Sequence, residues 1–600
     1  MLHPYCSYNM PNSNLQKTHL TTSLALARHL FCAGFFGVLP SIAQSQTSRP
    51  PTPEGVAIEQ QRRAAERENA QRAAQEKTPD VRLTPELQKQ TALLPANEQP
   101  CFLIQTVVIE STGQALPTGV LDALHKAASL QGMDTPLQRC LGQQGVQILI
   151  DRLQHELIAQ GFSTSSVMAA PQNLQTGQLI LKVFTGRVGR ISVKPSTSGD
   201  VHNVAVWNAV PIQAGDVLNL RAIEQALENF KRVPTAEADI KIVPASEEGY
   251  SDLVVEYSQK FPVRLGLSAD DSGSTATGKY QGQATLNIDS PFSHSDLFYI
   301  TLSHELGGKD PGPRGTKGYT AHYSIPFGYW ALALTKSNNQ YRQTVAGLNQ
   351  DYVYSGINDN AEIKLSRVVW RNAAGKTTLS LKGFQRVSSN AIDDTEVEVQ
   401  RRQVGGWELG ISHKHAWGEV KAEGQLSYKQ GTGAFGAFAT PEELFGEGTS
   451  RMKLILVDVN FTAPIQLGEQ SWTYNGVWRG QLNQTILSPQ DRFSVGGRFT
   501  VRGFDGQSVL TGEKGWLIRN EMSTPLWGSK QKIYIALDHG RVGGPSAAQG
   551  IARQLTGMAL GLRGEVGPVQ WDAFVARPVQ APDRFKTQQQ QAGFSLQAQF

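Results

Sequence analysis

A chain of 600 residues exceeds what one hydrophobic core organises and implies three or four units. A formal net charge of +4 gives no global attraction to nucleic acid, and no apolar run of membrane-helix length lies beyond the N-terminus. Abundant glycine (58 residues) with only 18% charged residues leans toward a turn-rich β protein.

Residues 1–43 read as a signal peptide. Lys17 and His19 precede an apolar run from Leu24 to Leu39, broken by Arg28 and His29, and Ser41-Ile42-Ala43 offers a cleavage site after Ala43. Met10 is an alternative start. Export removes Cys6 and Cys32, leaving Cys101 and Cys140 as the only possible pair. In an oxidising compartment a bridge is expected, worth about 4 kcal/mol in the chain-entropy model. Two cysteines without a His or Cys cluster nearby do not make a metal site.

In the N-terminal segment 44–77, residues 54–77 are Ala, Glu, Gln and Arg: strong helix formers with no sustained apolar face. Glu59 with Arg63 and Glu68 with Arg72 are supportive i,i+4 pairs. Such a helix is about 36 Å long, close to the height of a membrane barrel. Polar all round, it suits a water-filled channel or a solvated spacer, and composition leaves both open. Residues 78–100 carry Pro79, Pro85, Pro95 and Pro100 and read as an extended linker.

Residues 101–188 follow an α+β pattern: a strand over 102–109, helices over 120–130 and 147–160, then strands over 167–170 and 179–184 around a turn at Gly177. Residues 189–259 repeat a related plan. A strand includes Ile191-Ser192-Val193, a helix N-capped by Asn219 carries Leu220, Ile223, Leu227 and Phe230, and 239–243 pairs with 253–257 as a hairpin. Two small domains with open sheet edges suit capture of extended peptide by strand addition; the alternative is that they are spacers.

From 260 to 600 the period is two. Ala284, Leu286 and Ile288 alternate with Thr285, Asn287 and Asp289; Phe594, Leu596, Ala598 and Phe600 share the final apolar face. A greasy face opposite a polar one, repeated to the last residue, predicts a transmembrane β-barrel with a wet lumen. The length accommodates about 16 strands, since each span needs only about 9 to 11 residues.

Within that region lies Phe493 to Phe504, containing Val501-Arg502-Gly503-Phe504. In the later stretch 533–538 the phase turns Ile533, Ile535 and Leu537 outward and Tyr534, Ala536 and Asp538 inward. Asp538 is then a bidentate partner for Arg502 if the loop folds into the lumen. The alternative is a solvated hairpin arginine and a hydrated aspartate. Arg519 and Glu521 share a lumen-type face and either extend the pair or line the wall. No phosphate loop, GxSxG or HExxH is present, so neither an enzyme nor a cofactor is expected.

On these residues the chain resembles the TpsB transporters of two-partner secretion, relatives of the barrel-protein insertase. Val501–Phe504 matches the family's Val-Arg-Gly-Tyr/Phe loop motif, and Asp538-His539-Gly540 its Asp-x-Gly strand motif. Further matches are Pro100-Cys101-Phe102, Cys140-Leu141-Gly142, Gly161-Phe162 with Pro171-Gln172, Asn219 to Asn229, Tyr323 to Gly328 and Gly515 to Glu521. The N-terminus is longer than the family's, and Phe504 stands where many members carry tyrosine.

The resemblance implies a pore-plugging helix, two periplasmic POTRA domains, a 16-stranded barrel and an Arg502–Asp538 pair holding the loop in the pore. It further implies a monomer in the bacterial outer membrane that exports an unfolded partner exoprotein, an adhesin, haemolysin or contact-dependent toxin, without ATP. A barrel-protein insertase and a diffusion porin are the alternatives. The polar helix and proline-containing linker have no role in an insertase.

Overall fold

The computed structural model describes residues 53–83, 92–112, 116–195, 204–307, 313–347, 349–526, 530–550, 552–583 and 585–600; the signal-peptide expectation lies outside them. Helix α1, Pro53–Gln75, is the polar segment.

The first small domain comprises β1 (Phe102–Ile104), β2 (Thr106–Thr112), α2 (Thr118–Ala128), β3 (Arg139–Leu141), α3 (Gln143–Ala159), β4 (Ser166–Met168) and β5 (Gln178–Phe184). Its sheet has the order β2-β5-β4, with β2 and β5 parallel, and β1 pairs separately with β3. The single strand expected over 102–109 is therefore two. At the break, the N–H groups of Gln105 and Thr106 both donate to the Gly177 carbonyl, at 2.7 and 3.1 Å, as the chain passes from one partner strand to another. The Cys101–Cys140 disulfide closes the β1–β3 end of the domain.

Leu124, Leu149, Leu153, Leu157, Leu181 and Val183 form the domain's core. Leu94 is buried in the same core, so residues 92–100, expected as linker, pack on this domain. Glu98 accepts hydrogen bonds from the backbone N–H groups of Gly142, Gln144 and Gly145 at the start of α3. Burial alone would raise the carboxyl pKa of Asp134. The Leu94 N–H and the Arg152 and Arg139 guanidinium groups more than offset it and hold that carboxyl below its ordinary 3.8.

The second domain is β6 (Arg187–Pro195), α4 (Leu220–Lys231), β7 (Ala236–Pro244) and β8 (Tyr250–Gln259), in sheet order β6-β8-β7. The Asn219 side chain caps α4 by accepting from the Arg221 N–H at 2.7 Å. Ile223, Leu227 and Phe230 bury the apolar face of α4 against Leu253, Val255 and Tyr257.

Beyond this domain, 16 spanning strands close into a barrel, with the two-residue strand Thr395–Glu396 added in a loop. Closure joins the first strand, Val263–Asp270, antiparallel to the last, Gln591–Gln599. Leu265 and Phe600 exchange backbone hydrogen bonds of 3.0 and 2.9 Å, so no sheet edge faces lipid there. The period-two expectation takes physical form in the side-chain faces. Leu286, Ile535, Leu537 and Leu596 are exposed outward, while Thr285, Asn287, Asp289, Tyr534 and Asp538 are buried within. Among the described residues no helix is long and apolar enough to cross a membrane.

Connections at the end facing the small domains are short, such as 328–329, 418–419 and 468–469. Phe292, Phe327, Trp330 and Trp417 are exposed at that rim, as an aromatic girdle requires. The long loops, including 484–513, lie at the other end.

Candidate functional site

A polar helix cannot be buried in a core, but a hydrated lumen supplies hydrogen-bonding groups to its whole circumference. Helix α1 is about 35 Å long and is matched along its length by polar wall residues. At one end Gln60 donates to Ser274 Oγ at 2.9 Å and accepts from Thr277 Oγ1 at 3.0 Å. Further along, Asn339 donates to Glu68 at 3.2 Å and Gln71 donates to Thr301 Oγ1 at 2.8 Å. Arg72 reaches Glu362 at 3.0 Å, and the Tyr299 hydroxyl donates to Glu76 at 2.9 Å. Among the described side chains of the helix, Ala57, against Tyr341 and Tyr354, is the buried apolar contact.

The loop 484–513 also enters the lumen. Phe493–Val495 pairs with Leu510–Gly512, and the hairpin carries Val501–Phe504 inward. Arg502 meets Asp538 through two parallel hydrogen bonds, Nε to Oδ2 at 2.7 Å and Nη2 to Oδ1 at 2.8 Å. The Arg502 backbone N–H adds a third, to Oδ2 at 3.0 Å. Its remaining Nη1 donates to Glu521 Oε2 at 2.6 Å. Asp538 is fully buried and Arg502 is 7% exposed, so the fork works in low dielectric, where removing one partner costs more than breaking a surface pair.

Arg519 stands 3.7 Å from Asp538 and donates to the Phe499 carbonyl at 3.4 Å. Glu521 is shared with Arg563. The structure thus brings Arg502, Asp538, Arg519 and Glu521 into one network. Cys101 and Cys140 lie outside the barrel, in the first small domain.

Apolar contacts fix the same loop. Val495, Val501, Phe504 and Leu510 pack on Leu517, Val542 and Leu555 of the wall, and Phe504 meets Phe585 edge to face at 5.6 Å. Gly503 has φ of +103°, and a Cβ there would sit 2.4 Å from the Arg577 carbonyl oxygen, so only glycine fits.

A second anchor escaped the sequence reading. Asp491 accepts two hydrogen bonds of 2.9 Å from Arg386 Nη2, on strand Gly375–Ile392. The available signal was an arginine on the polar face of a strand. Helix and loop also touch: Arg62 donates to the Pro489 carbonyl at 3.4 Å.

A closed barrel with an occupied lumen, preceded by two small α+β domains, defines an outer-membrane transporter of the POTRA-plus-barrel class. Residues 249–564 match the model of the haemolysin secretion/activation proteins ShlB/FhaC/HecB, residues 119–186 a ShlB-type POTRA domain and residues 187–244 a POTRA domain. The outer membrane transporter CdiB-2 of Burkholderia pseudomallei is 32% identical over 596 residues, covering 94% of this chain and 99% of that protein. The hemolysin transporter protein ShlB of Serratia marcescens is 24% identical, over 67% of this chain and 70% of that protein. Among solved structures, CdiB from Acinetobacter baumannii is 29% identical and superposes with a TM-score of 0.78, covering 92% of this chain and 100% of that one.

The chain belongs to the ShlB/FhaC/HecB family of haemolysin secretion/activation proteins. It is a two-partner secretion transporter of the outer membrane, with its POTRA domains on the periplasmic side.

Proposed function

We propose that this transporter exports one large partner protein, an adhesin, haemolysin or contact-dependent toxin, received unfolded through its POTRA domains. In this reading α1 is a removable plug, and Arg502 with Asp538 is the latch that keeps the loop 484–513 inside the pore while cargo passes. Arg519 and Glu521 hold the two latch groups in register. One chain suffices, because the barrel closes on itself, and folding of the cargo outside replaces ATP as the driving force.

The observation that carries the reading is the helix in the lumen, held almost wholly by polar contacts. Each neutral contact exchanges for water at a net cost of about 0.5–1.5 kcal/mol and each contact to a charged group at about 1.5–3 kcal/mol, one at a time, so the helix can leave without exposing an apolar face. Deleting residues 54–77 and recording planar-bilayer conductance tests this. The expected result is a large, steady current with the barrel still folded; an unchanged current would remove the plug role. Co-expression with the partner separates transporter from porin, since loss of a transporter strands the partner in the periplasm.

A further inference from the structure

The segment that leaves α1 passes between α4 of the second POTRA domain and the barrel turn Arg371–Lys376. Four main-chain groups of Val81 and Leu83 are taken there by charged side chains. The Val81 N–H donates to Glu228 Oε1 at 3.1 Å, and its carbonyl accepts from Arg371 Nη2 at 2.5 Å. The Leu83 N–H donates to Glu224 Oε1 at 2.7 Å, and its carbonyl accepts from Arg221 Nη2 at 3.2 Å. The Val81 and Leu83 side chains pack on the core of the POTRA domain. Arg82, between them, turns to Asp80 at 2.9 Å and to the Ala374 carbonyl.

This is how an extended strand is read. Glu224 and Glu228 are one helical turn apart, about 5–6 Å between Cβ atoms, close to the roughly 6.6 Å that two extended residues span. Both carboxylates are buried, and Arg371 ties them together at 2.8 and 3.0 Å while Lys376 adds 2.7 Å to Glu228. Of the linker's own charged side chains only Arg82 touches the slot, through the Ala374 carbonyl, and it meets none of the four charged groups that hold the main chain. Main-chain groups are matched to carboxylate and guanidinium, and alternate apolar side chains to the domain core.

We infer that the slot between α4 and the turn Arg371–Lys376 is a binding site for extended polypeptide with apolar residues at alternate positions. Residues 80–83 are its resident occupant, and a β-type segment of the transported protein is the ligand that replaces them. The identity of that ligand rests on the transport reading above; the binding site does not. The tethered linker competes at an effective concentration in the millimolar range, so the site opens only when the linker is drawn away or outcompeted.

The test uses the full-length protein in detergent and a fluorescent peptide of sequence Thr-Pro-Asp-Val-Arg-Leu, residues 78–83. In V81D/L83D the resident segment would have to bury two carboxylates against the apolar POTRA core, so it is displaced, and the peptide is expected to bind at least ten-fold more tightly than to wild type. N-methylation of the peptide's Val and Leu amides is expected to remove that binding, as is replacement of both residues by Asp. Replacement of its Arg by Ala, which removes only the bond to the Ala374 carbonyl, is expected to weaken binding far less than either of these changes. If V81D/L83D loses its folded, heat-modifiable barrel, a second form carries protease sites after Lys77 and within 84–91. It folds with the linker in place and is then cut, and labelled peptide must exchange into it. No gain on either form, or equal binding by the N-methylated peptide, overturns the inference. Export is not measured, so such a failure leaves the transport reading standing.

Discussion

Helix α1 and the loop 484–513 share one lumen but are held by different physics. The helix is held by scattered hydrogen bonds, such as Gln60 to Ser274 and Gln71 to Thr301, and by a part-exposed Arg72–Glu362 pair, with one buried alanine among its described side chains. The loop is held by the bidentate Arg502–Asp538 pair, by Asp491 bonded through both oxygens to Arg386 Nη2 on another strand, and by an apolar cluster around Val501 and Phe504. Water in an opened pore replaces the first kind of contact group by group. It replaces the second only at the cost of leaving buried charges unpaired and wetting aromatic surface. Residence in the same cavity therefore says little about which part moves.

The comparison breaks first at the latch. Arg502→Ala leaves Asp538 with Arg519 at 3.7 Å, and Asp538→Ala leaves Arg502 with Glu521; breaking a buried pair costs about 3–5 kcal/mol where no second partner remains, and less here. Each substitution is expected to impair export of the co-expressed partner, and the double substitution to be no worse than either. Export measured for the three variants checks this; additive losses would separate the two residues.

Outside the pore, the first POTRA domain is fastened by covalent and ionic means together. Replacing Cys101 and Cys140 by serine is expected to cost about 4 kcal/mol, read as faster hydrogen exchange over α2 and α3. Asp134 gives the pH counterpart. Its lowered carboxyl pKa means its contribution is complete above the ordinary 3.8 and is lost as pH falls through the lower folded value. Protection of α3 is expected to hold from neutrality to about pH 4 and to decline below it, and Asp134→Asn is expected to lower protection already at neutral pH.

The smallest effect belongs to helix α1. Gln71→Ala removes hydrogen bonds to Thr301 and Thr285 and is expected to loosen the helix by about 1 kcal/mol. Open events in bilayer recordings should become several-fold more frequent with no change in barrel stability. An effect as large as that of Arg502→Ala would erase the distinction between the two regions.

Much of the architecture was legible because its signals are local. Period-two alternation at 284–289 and 533–538 sets which side chains face lipid, whereas the helix at 54–77, polar all round, suited a lumen and a solvated spacer equally by composition. The inward phase of Asp538 follows from the same alternation. Pairings between distant segments were less accessible. Asp491 and Arg386 are joined only once the loop crosses the lumen, and no periodicity encodes that crossing. The break at Gln105 was hidden because both halves of 102–109 favour strand, and the change of partner depends on Gly177. Residues 92–100 looked like linker from their prolines, yet Leu94 and Glu98 carry single contacts that composition does not reveal.

The central claim is that the helix leaves while the loop stays. Gln60→Cys with Ser274→Cys, joined by a short thiol-cleavable crosslinker, fixes the helix to the wall; Arg498→Cys with Asp271→Cys, a pair at 2.8 Å in the native chain, fixes the loop. Partner export is then measured before and after cleavage, with wild type given the same reductant. Export is expected to stop with the helix crosslinked and to resume on cleavage, while the loop crosslink leaves export running. Undiminished export with the helix fully crosslinked would contradict it.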